Sequence, residues 1–257
     1  MEITFYKYQG TGNDFIMIDD REERFDDNNL NAIAKLCNRK FGIGADGLIL
    51  IREKAGYDFE MVYFNADGTQ SMCGNGARCA VAFLKFLGIT MDKCGFLAID
   101  GPHEAKYKEG QVELGMSPVE NIFTEGPDYF VNTGSPHHVR LVEDVKAYPV
   151  VDTGSQIRYS DIYKPNGVNV NFITELSEDE IYVRTYERGV ENETLSCGTG
   201  VTACALVYGK LNGIDRVNIQ TPGGKLAVRF TANTDGSFSD ILLIGPAEQV
   251  FSGVINI

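Results

Sequence analysis

Short runs in which apolar and polar residues alternate dominate the chain. They predict strands over 3–6, 57–64, 96–99, 180–186, 225–230 and 241–244, where aromatic and β-branched residues are frequent. Two segments break the alternation. Residues 77–87 carry only Arg78 and Lys85 as charges and stop at Gly88, and residues 201–208 carry no charge. A helix that is apolar on all sides has to be buried. A further helix is predicted over 29–38, where Leu30, Ile33, Ala34 and Cys37 recur at helical spacing. The remainder reads mostly as short strands, with turns at 108–111 and at Asp235-Gly236.

These elements recur. Cys73-Gly-Asn-Gly-Ala-Arg and Cys197-Gly-Thr-Gly-Val-Thr are 124 residues apart, and each opens one of the apolar helices. Thr11-Gly12 and Thr133-Gly134, each followed by an apolar stretch, are 122 apart, as are Gly47-Leu-Ile-Leu-Ile and Asn169-Val-Asn-Phe-Ile. Three matches in one order at nearly constant spacing imply that the chain is built twice. The expected fold is α/β, in the α+β sense, with two pseudo-symmetric lobes. Each lobe sets mostly antiparallel strands around a central buried helix with a cysteine at its N-terminus. Residues 1–116 are assigned to the lobe carrying Cys73 and 117–244 to the lobe carrying Cys197. Residues 245–257 are expected to form a terminal strand returning to the first lobe, and no low-complexity linker separates the two.

Composition narrows the function classes. In 257 residues there are 23 Lys and Arg against 36 Asp and Glu, a net charge of −13 without a basic run. Nothing there neutralises nucleic-acid phosphates or grips an anionic membrane, so a small-molecule partner is expected, with no nucleic acid and no membrane. The longest apolar runs, such as 48–51, are far too short to span a bilayer. Acidic residues stand near the start where a signal peptide would be basic, so the expected location is the cytoplasm. The six cysteines then read as reduced thiols, four of them (Cys37, Cys79, Cys94 and Cys204) as small buried hydrophobes.

Cys73 and Cys197 are different because they repeat. At a helix N-terminus, unpaired N–H groups and the positive end of the dipole stabilise a thiolate and can bring its pKa from about 8.5 toward roughly 3.5 to 7.5. Glycines beside each cysteine would let a carboxylate approach the N–H groups of Gly74, Asn75 and Gly76, or of Gly198, Thr199 and Gly200. Should the halves face each other, a bound amino acid would have one cysteine on each side of its Cα, one taking a proton and the other giving one. Stereochemical inversion follows. No Cys-x2-Cys spacing suggests zinc, so no metal is expected, and the Gly-rich turns lack the Lys-Ser/Thr ending of a nucleotide loop.

Gly10-Thr-Gly-Asn-Asp-Phe15, Asn65-Ala-Asp-Gly68, Met72-Cys-Gly-Asn-Gly-Ala-Arg-Cys79, Glu187-Arg-Gly-Val190 and Ser196-Cys-Gly-Thr-Gly200 together resemble the diaminopimelate epimerase family. Gly134-Ser-Pro-His137, Val168-Asn-Val-Asn-Phe172 and Pro222-Gly-Gly224 extend the resemblance over nearly the whole chain. The resemblance implies interconversion of LL- and meso-diaminopimelate, on the route to lysine and the peptidoglycan cross-link, without pyridoxal phosphate or metal, in a homodimer. It makes Cys73 and Cys197 the acid-base residues. Asn13, Asn65, Asn169, Glu187 and Arg188 would line the substrate site, and Gly74, Asn75, Gly198 and Thr199 would hold the carboxylate at the reacting carbon. His137 and Glu187 would tune the thiols. Many members of that family have Asn where this chain has Ser135, and some have Gln where Gly47 stands.

Taken alone, several of these residues have plainer readings. Glu187-Arg188 suits a solvated charge pair, His137 an ordinary turn, and Asn13 and Asn65 turn formers. Two other functions use the same features. One is a racemase or epimerase of proline or hydroxyproline, whose members usually have His where this chain has Asn75. The other is a non-catalytic amino-acid or redox sensor in which Cys73 and Cys197 form a switchable disulfide.

Overall fold

The alternating stretches fold as strands and the apolar segments behind Cys73 and Cys197 as helices. The computed structural model describes residues 2–89 and 93–256. By packing, the chain divides into two units, Met1–Leu114 with Gly245–Ile257, and Gly115–Ile244.

The first unit runs β1 (Glu2–Gly10), β2 (Asn13–Asp19), α1 (Leu30–Cys37), β3 (Gly47–Arg52), β4 (Phe59–Asn65), α2 (Gly74–Phe86), β5 (Lys93–Ala98), β6 (Gly101–Lys108) and β7 (Gln111–Gly115). The second runs β8 (Ile122–Glu125), β9 (Asp128–Asn132), β10 (Pro136–Leu141), α3 (Val150–Arg158), β11 (Asn169–Ser177), β12 (Glu180–Glu187), the short β13 (Asn192–Thr194), α4 (Gly198–Asn212), β14 (Arg216–Thr221), β15 (Gly224–Ala232) and β16 (Phe238–Pro246). β17 (Glu248–Asn256) closes the chain and pairs antiparallel with β1.

Strand order in the first unit is β17-β1-β2-β3-β4-β5-β6-β7, antiparallel except for β2–β3 and β4–β5. The second unit repeats it as β8-β9-β10-β11-β12-β14-β15-β16, parallel only at β10–β11 and β12–β14. A parallel pair needs a crossover, and a helix lies at each: α1 and α2 in one unit, α3 and α4 in the other.

The pleat then divides the core. In β2 and β3, Ile16, Ile18, Leu48 and Leu50 face Ile33 and Leu36 of α1. In β11, Val170 and Phe172 pack with Val150 of α3, whereas Ile173 packs with Val201 and Ala205 of α4. Helix α2 is packed by β1, β2, β3, β4, β6 and β17, and α4 by β9, β10, β11, β12, β14 and β15. Each is therefore a central helix with strands around it. No helix among the described residues is long and apolar enough to cross a membrane.

Three details depart from the sequence reading. Helix α3 replaces what reads as strand and loop, because Val150, Val151, Thr153 and Gly154 hide it from propensity. Gly154 is there for contact: a Cβ on it would lie 2.5 Å from Tyr186 Cβ. Helix α4 is longer than the uncharged stretch, beginning at Gly198 and stopping at Gly213, whose φ of +69° is left-handed. His137 is not in a turn; it is a fully buried residue of β10.

Candidate active site

Each unit presents a cysteine as the N-cap of its central helix. Cys73 has φ −134° and ψ 115°, and Cys197 has φ −118° and ψ 112°; neither side chain caps its own helix. The first intrahelical bonds run from Ala77 to Cys73 at 2.8 Å and from Val201 to Cys197 at 2.9 Å. The N–H groups of Gly74, Asn75 and Gly76, and of Gly198, Thr199 and Gly200, precede those bonds. No acidic residue stands in either first turn to compete for them. Both ends can bind an anion.

In the first unit Asn13, Cys73 and Asn75 come together. Cys73 Sγ donates to Asn13 Oδ1 at 3.4 Å, and Asn75 Nδ2 donates to the same oxygen at 3.3 Å. Asn13 Nδ2 donates to Asp46 Oδ2 at 2.6 Å, which settles which end of the amide faces the thiol. Asp46 is held by Arg39 at 2.8 Å, and Arg39 also grips Asp14, which pairs with Lys7 at 2.7 Å. Burial alone would raise the Asp14 carboxyl, but Arg39 and Lys7 outweigh it and hold the group well below the usual carboxylate range. Behind Asn75 lies Arg78, fully buried, whose Nη2 donates to Asn75 Oδ1 at 3.1 Å and to Thr11 Oγ1 at 3.2 Å. Thr11 has φ +52°, a strained value for a β-branched residue, in the two-residue turn that positions Asn13.

In the second unit His137, Thr199 and Cys197 come together. Cys197 Sγ is 3.5 Å from Thr199 Oγ1, and that oxygen is 2.9 Å from His137 Nε2. His137 Nδ1 is 3.1 Å from Asn171 Nδ2, and Asn171 Oδ1 accepts from Thr185 at 2.9 Å. Burial first, and then the Arg188 charge, push the His137 pKa down to about 3, so the ring is neutral. Thr133 Oγ1 donates to the Thr199 carbonyl at 2.9 Å and ties the helix end to β9 and its following turn.

Asn169, Glu187 and Arg188 also gather in this unit. Asn169 Oδ1 accepts from the Arg188 backbone N–H at 2.8 Å, and Asn169 Nδ2 donates to the Pro136 carbonyl at 3.2 Å. Glu187 Oε2 accepts from Thr194 at 2.8 Å. The turn carrying Arg188 is clamped by Glu191, whose carboxylate accepts from Gly189 N–H at 2.9 Å, Tyr159 OH at 2.7 Å and Arg158 at 3.0 Å. Asn65 stands apart, its amide engaged with Thr69 at 3.0 Å and Ser71 at 3.2 Å inside its own loop.

Sequence reasoning missed Asp46, Arg78, Asn171, Thr185 and Thr133. Thr11 and Thr133 stood at the repeat offset, and Asn171 is a polar residue at a core-facing position of an apolar run; both were usable signals. The remaining cysteines are simpler. Cys37, Cys79, Cys94 and Cys204 are buried, and burial pushes Cys37 up to about 12 and Cys94 up to about 11. Among the described residues no group of three or more His, Cys, Asp or Glu side chains could hold a metal ion.

Two units with the same strand order, each with a cysteine-capped central helix, define a known class of fold. A phenazine biosynthesis protein of the PhzF family from Bacillus anthracis superposes with a TM-score of 0.80 at 13% identity over 100% of both chains. A hydroxyproline epimerase from Agrobacterium vitis gives 0.69 at 14% identity, over 99% of this chain and 92% of that one. At such identities the likeness is one of fold. The family comes from sequence: the model of diaminopimelate epimerase matches residues 5–122 and 129–250. The diaminopimelate epimerase of Flavobacterium psychrophilum is 51% identical over 256 residues, covering 97% of this chain and 99% of that protein. The chain belongs to the diaminopimelate epimerase family.

Proposed function

We propose that this chain is an isomerase that converts LL-diaminopimelate to meso-diaminopimelate in lysine biosynthesis, with Cys73 and Cys197 as its acid-base pair. The observation that carries the mechanism is the repeated cysteine N-cap on a central helix whose first N–H groups can take a carboxylate. Inversion at Cα needs a base on one face and an acid on the other. A thiolate removes the α-proton, and a thiol delivers a proton to the opposite face, so the two cysteines exchange roles in the reverse direction. Positioned acid-base groups supply about 10² to 10⁴-fold. The helix N-termini supply more by stabilising the carboxylate and the carbanion beside it. The chemistry calls for neither metal nor cofactor.

Arg188, with Asn13, Asn65 and Asn169, is assigned to the distal amino-carboxylate end, a task for which a planar guanidinium is suited. Glu187 and His137 are assigned to thiol tuning. The chain is further read as a cytoplasmic homodimer, and β17 supports the second part: its apolar residues Val250, Phe251 and Val254 are exposed.

The test is a proton NMR time course of LL-diaminopimelate with reduced protein in deuterated water, with the Cys73→Ser, Cys197→Ser double variant as control. Loss of the α-proton signal with wild type alone, together with appearance of the meso form, is expected. A persistent signal with folded, reduced protein would overturn the substrate assignment; exchange with hydroxyproline instead would move it to the proline-type epimerases, and exchange with neither would favour a sensor.

A further inference from the structure

The hydrogen bonds behind Cys197 have a direction. The His138 backbone carbonyl can only accept, so the Asn171 atom 2.9 Å from it is the amide nitrogen, and Asn171 Oδ1 accepts from Thr185. That nitrogen also lies 3.1 Å from His137 Nδ1. One of its protons goes to the His138 carbonyl and the other to the ring, so Nδ1 meets it as a lone pair. The neutral ring then carries its proton on Nε2, which donates to Thr199 Oγ1 at 2.9 Å. The last proton in the chain is that of the Thr199 hydroxyl, 3.5 Å from Cys197 Sγ.

We propose that Thr199 is a positioning residue whose hydroxyl proton is committed to Cys197 Sγ, with Thr185, Asn171 and His137 setting that direction, so that Cys197 rests as the thiolate. The inference rests on reading Cys197 as an acid-base residue and adds what prepares it. A hydrogen bond donated to the charged form favours that form. His137 is thus a neutral donor and takes no proton from the cysteine. Arg188 acts on the His137 ring, and the buried Cys204 thiol is pushed up by burial and by its neighbour Cys197, which leaves it a neutral group. Gly200 belongs to the same device, since a Cβ there would lie 2.5 Å from Asn171 Oδ1. At Cys73 the direction is opposite: Asp46 fixes the Asn13 amide so that an acceptor faces Sγ, and Cys73 is the donor.

Two measurements on the substrate-free protein test this, and neither depends on diaminopimelate. First, iodoacetamide modification of the Cys197 and Cys73 peptides is followed by mass spectrometry across pH. Cys197 is expected to react with the lower midpoint. Thr199→Val is expected to raise that midpoint by about one unit, an approximately tenfold loss of thiolate below it, while Thr199→Ser keeps it. Equal midpoints for wild type and Thr199→Val would overturn the proposal. Second, nitrogen NMR of ¹⁵N-histidine protein, assigned with His137→Gln, reads the ring directly and needs no Thr199 variant to fold. A protonated Nε2 with bare Nδ1 is expected; the other tautomer would overturn it. Epimerisation assays on the same samples report separately on the substrate assignment.

Discussion

The surroundings of the two cysteines are built on the same positions with opposite chemistry. Phe15, Ile49 and Tyr63 in the first unit stand where the second has His137, Asn171 and Thr185: Phe15 pairs with Gly47 and Ile49 with Tyr63, as His137 pairs with Asn169 and Asn171 with Thr185. Even the glycines correspond. A Cβ on Gly76 would meet Ile49 Cδ1 at 3.0 Å, and one on Gly200 would meet Asn171 Oδ1 at 2.5 Å. In the first unit those strand positions carry two apolar residues and a tyrosine, and the amides beside Cys73 come from the helix itself, Asn75, and from the start of β2, Asn13. In the second unit the polar chain runs through the strands. A duplicated scaffold has thus kept its packing while the protonation chemistry of each cysteine is set by different elements.

The largest break in this comparison is to remove either thiol. Cys73→Ser and Cys197→Ser are each expected to lower epimerisation by about 10² to 10⁴-fold or more, measured as meso-diaminopimelate formed, with thermal unfolding little changed. An effect confined to one cysteine would mean that the units do not share the reaction. The glycines give a finer contrast. Gly200→Ala drives a methyl into an oxygen pinned by Thr185, and an overpacked site of this kind costs about 1 to 3 kcal/mol. Gly76→Ala meets the end of a flexible Ile49 side chain and is expected to cost clearly less. Urea denaturation of both variants checks the order.

Acid separates the units next. His137 is held near 3 by burial and then Arg188. His138 is held near 4 because burial outweighs Asp128, whose carboxylate is already gripped by Arg140 at 2.6 and 2.9 Å. Both folded values lie below the unfolded value near 6.5. The unfolded chain therefore binds protons first, and stability is fully present above about 6.5 and falls as pH drops toward 4 and 3. Between pH 6 and 5 the pair removes about 2 kcal/mol, read from urea midpoints; the His137→Gln, His138→Gln variant is expected to lack that slope. An unchanged slope would place protonated histidine in the folded protein.

Much of this was legible in the sequence because packing repeats leave periodic traces. The twin Cys-Gly-x-Gly turns, the buried helices behind them and the strands around them all follow from apolar spacing and the offset of 122 to 124 residues. Helix α3 was not read, although the same offset applied to α1 falls on it; Val150, Val151 and Gly154 gave a local signal that contradicted the tertiary one. The networks were harder still. Asn171 and Thr185 look like ordinary strand residues, and only the register that sets them opposite each other, next to His137, makes them a relay. Asn65 was singled out by motif, and its amide is taken up by Thr69 and Ser71 in its own loop.

Arg78 offers the smallest test and the one that best isolates the first unit. Its counterpart at the repeat offset is Thr202, which only donates to the Gly198 carbonyl at 2.9 Å. Arg78 Nη2 serves Asn75 and Thr11, while Nε and Nη1 are buried with no hydrogen-bond partner among the described residues. Burial pushes the guanidinium pKa down, which marks the charge as poorly compensated. Replacing a desolvated cation by an apolar side chain of similar length is often neutral for stability. Arg78→Met is therefore expected to leave the thermal midpoint nearly unchanged. Its effect falls instead on Asn75, whose amide loses the donor that turns Nδ2 toward Asn13, and on the strained Thr11 turn that carries Asn13. Epimerisation is expected to drop by about tenfold, equivalent to about 1.4 kcal/mol, mostly in kcat. A variant that unfolds early would instead make Arg78 part of the core, and the first unit would then keep its thiol in order without it.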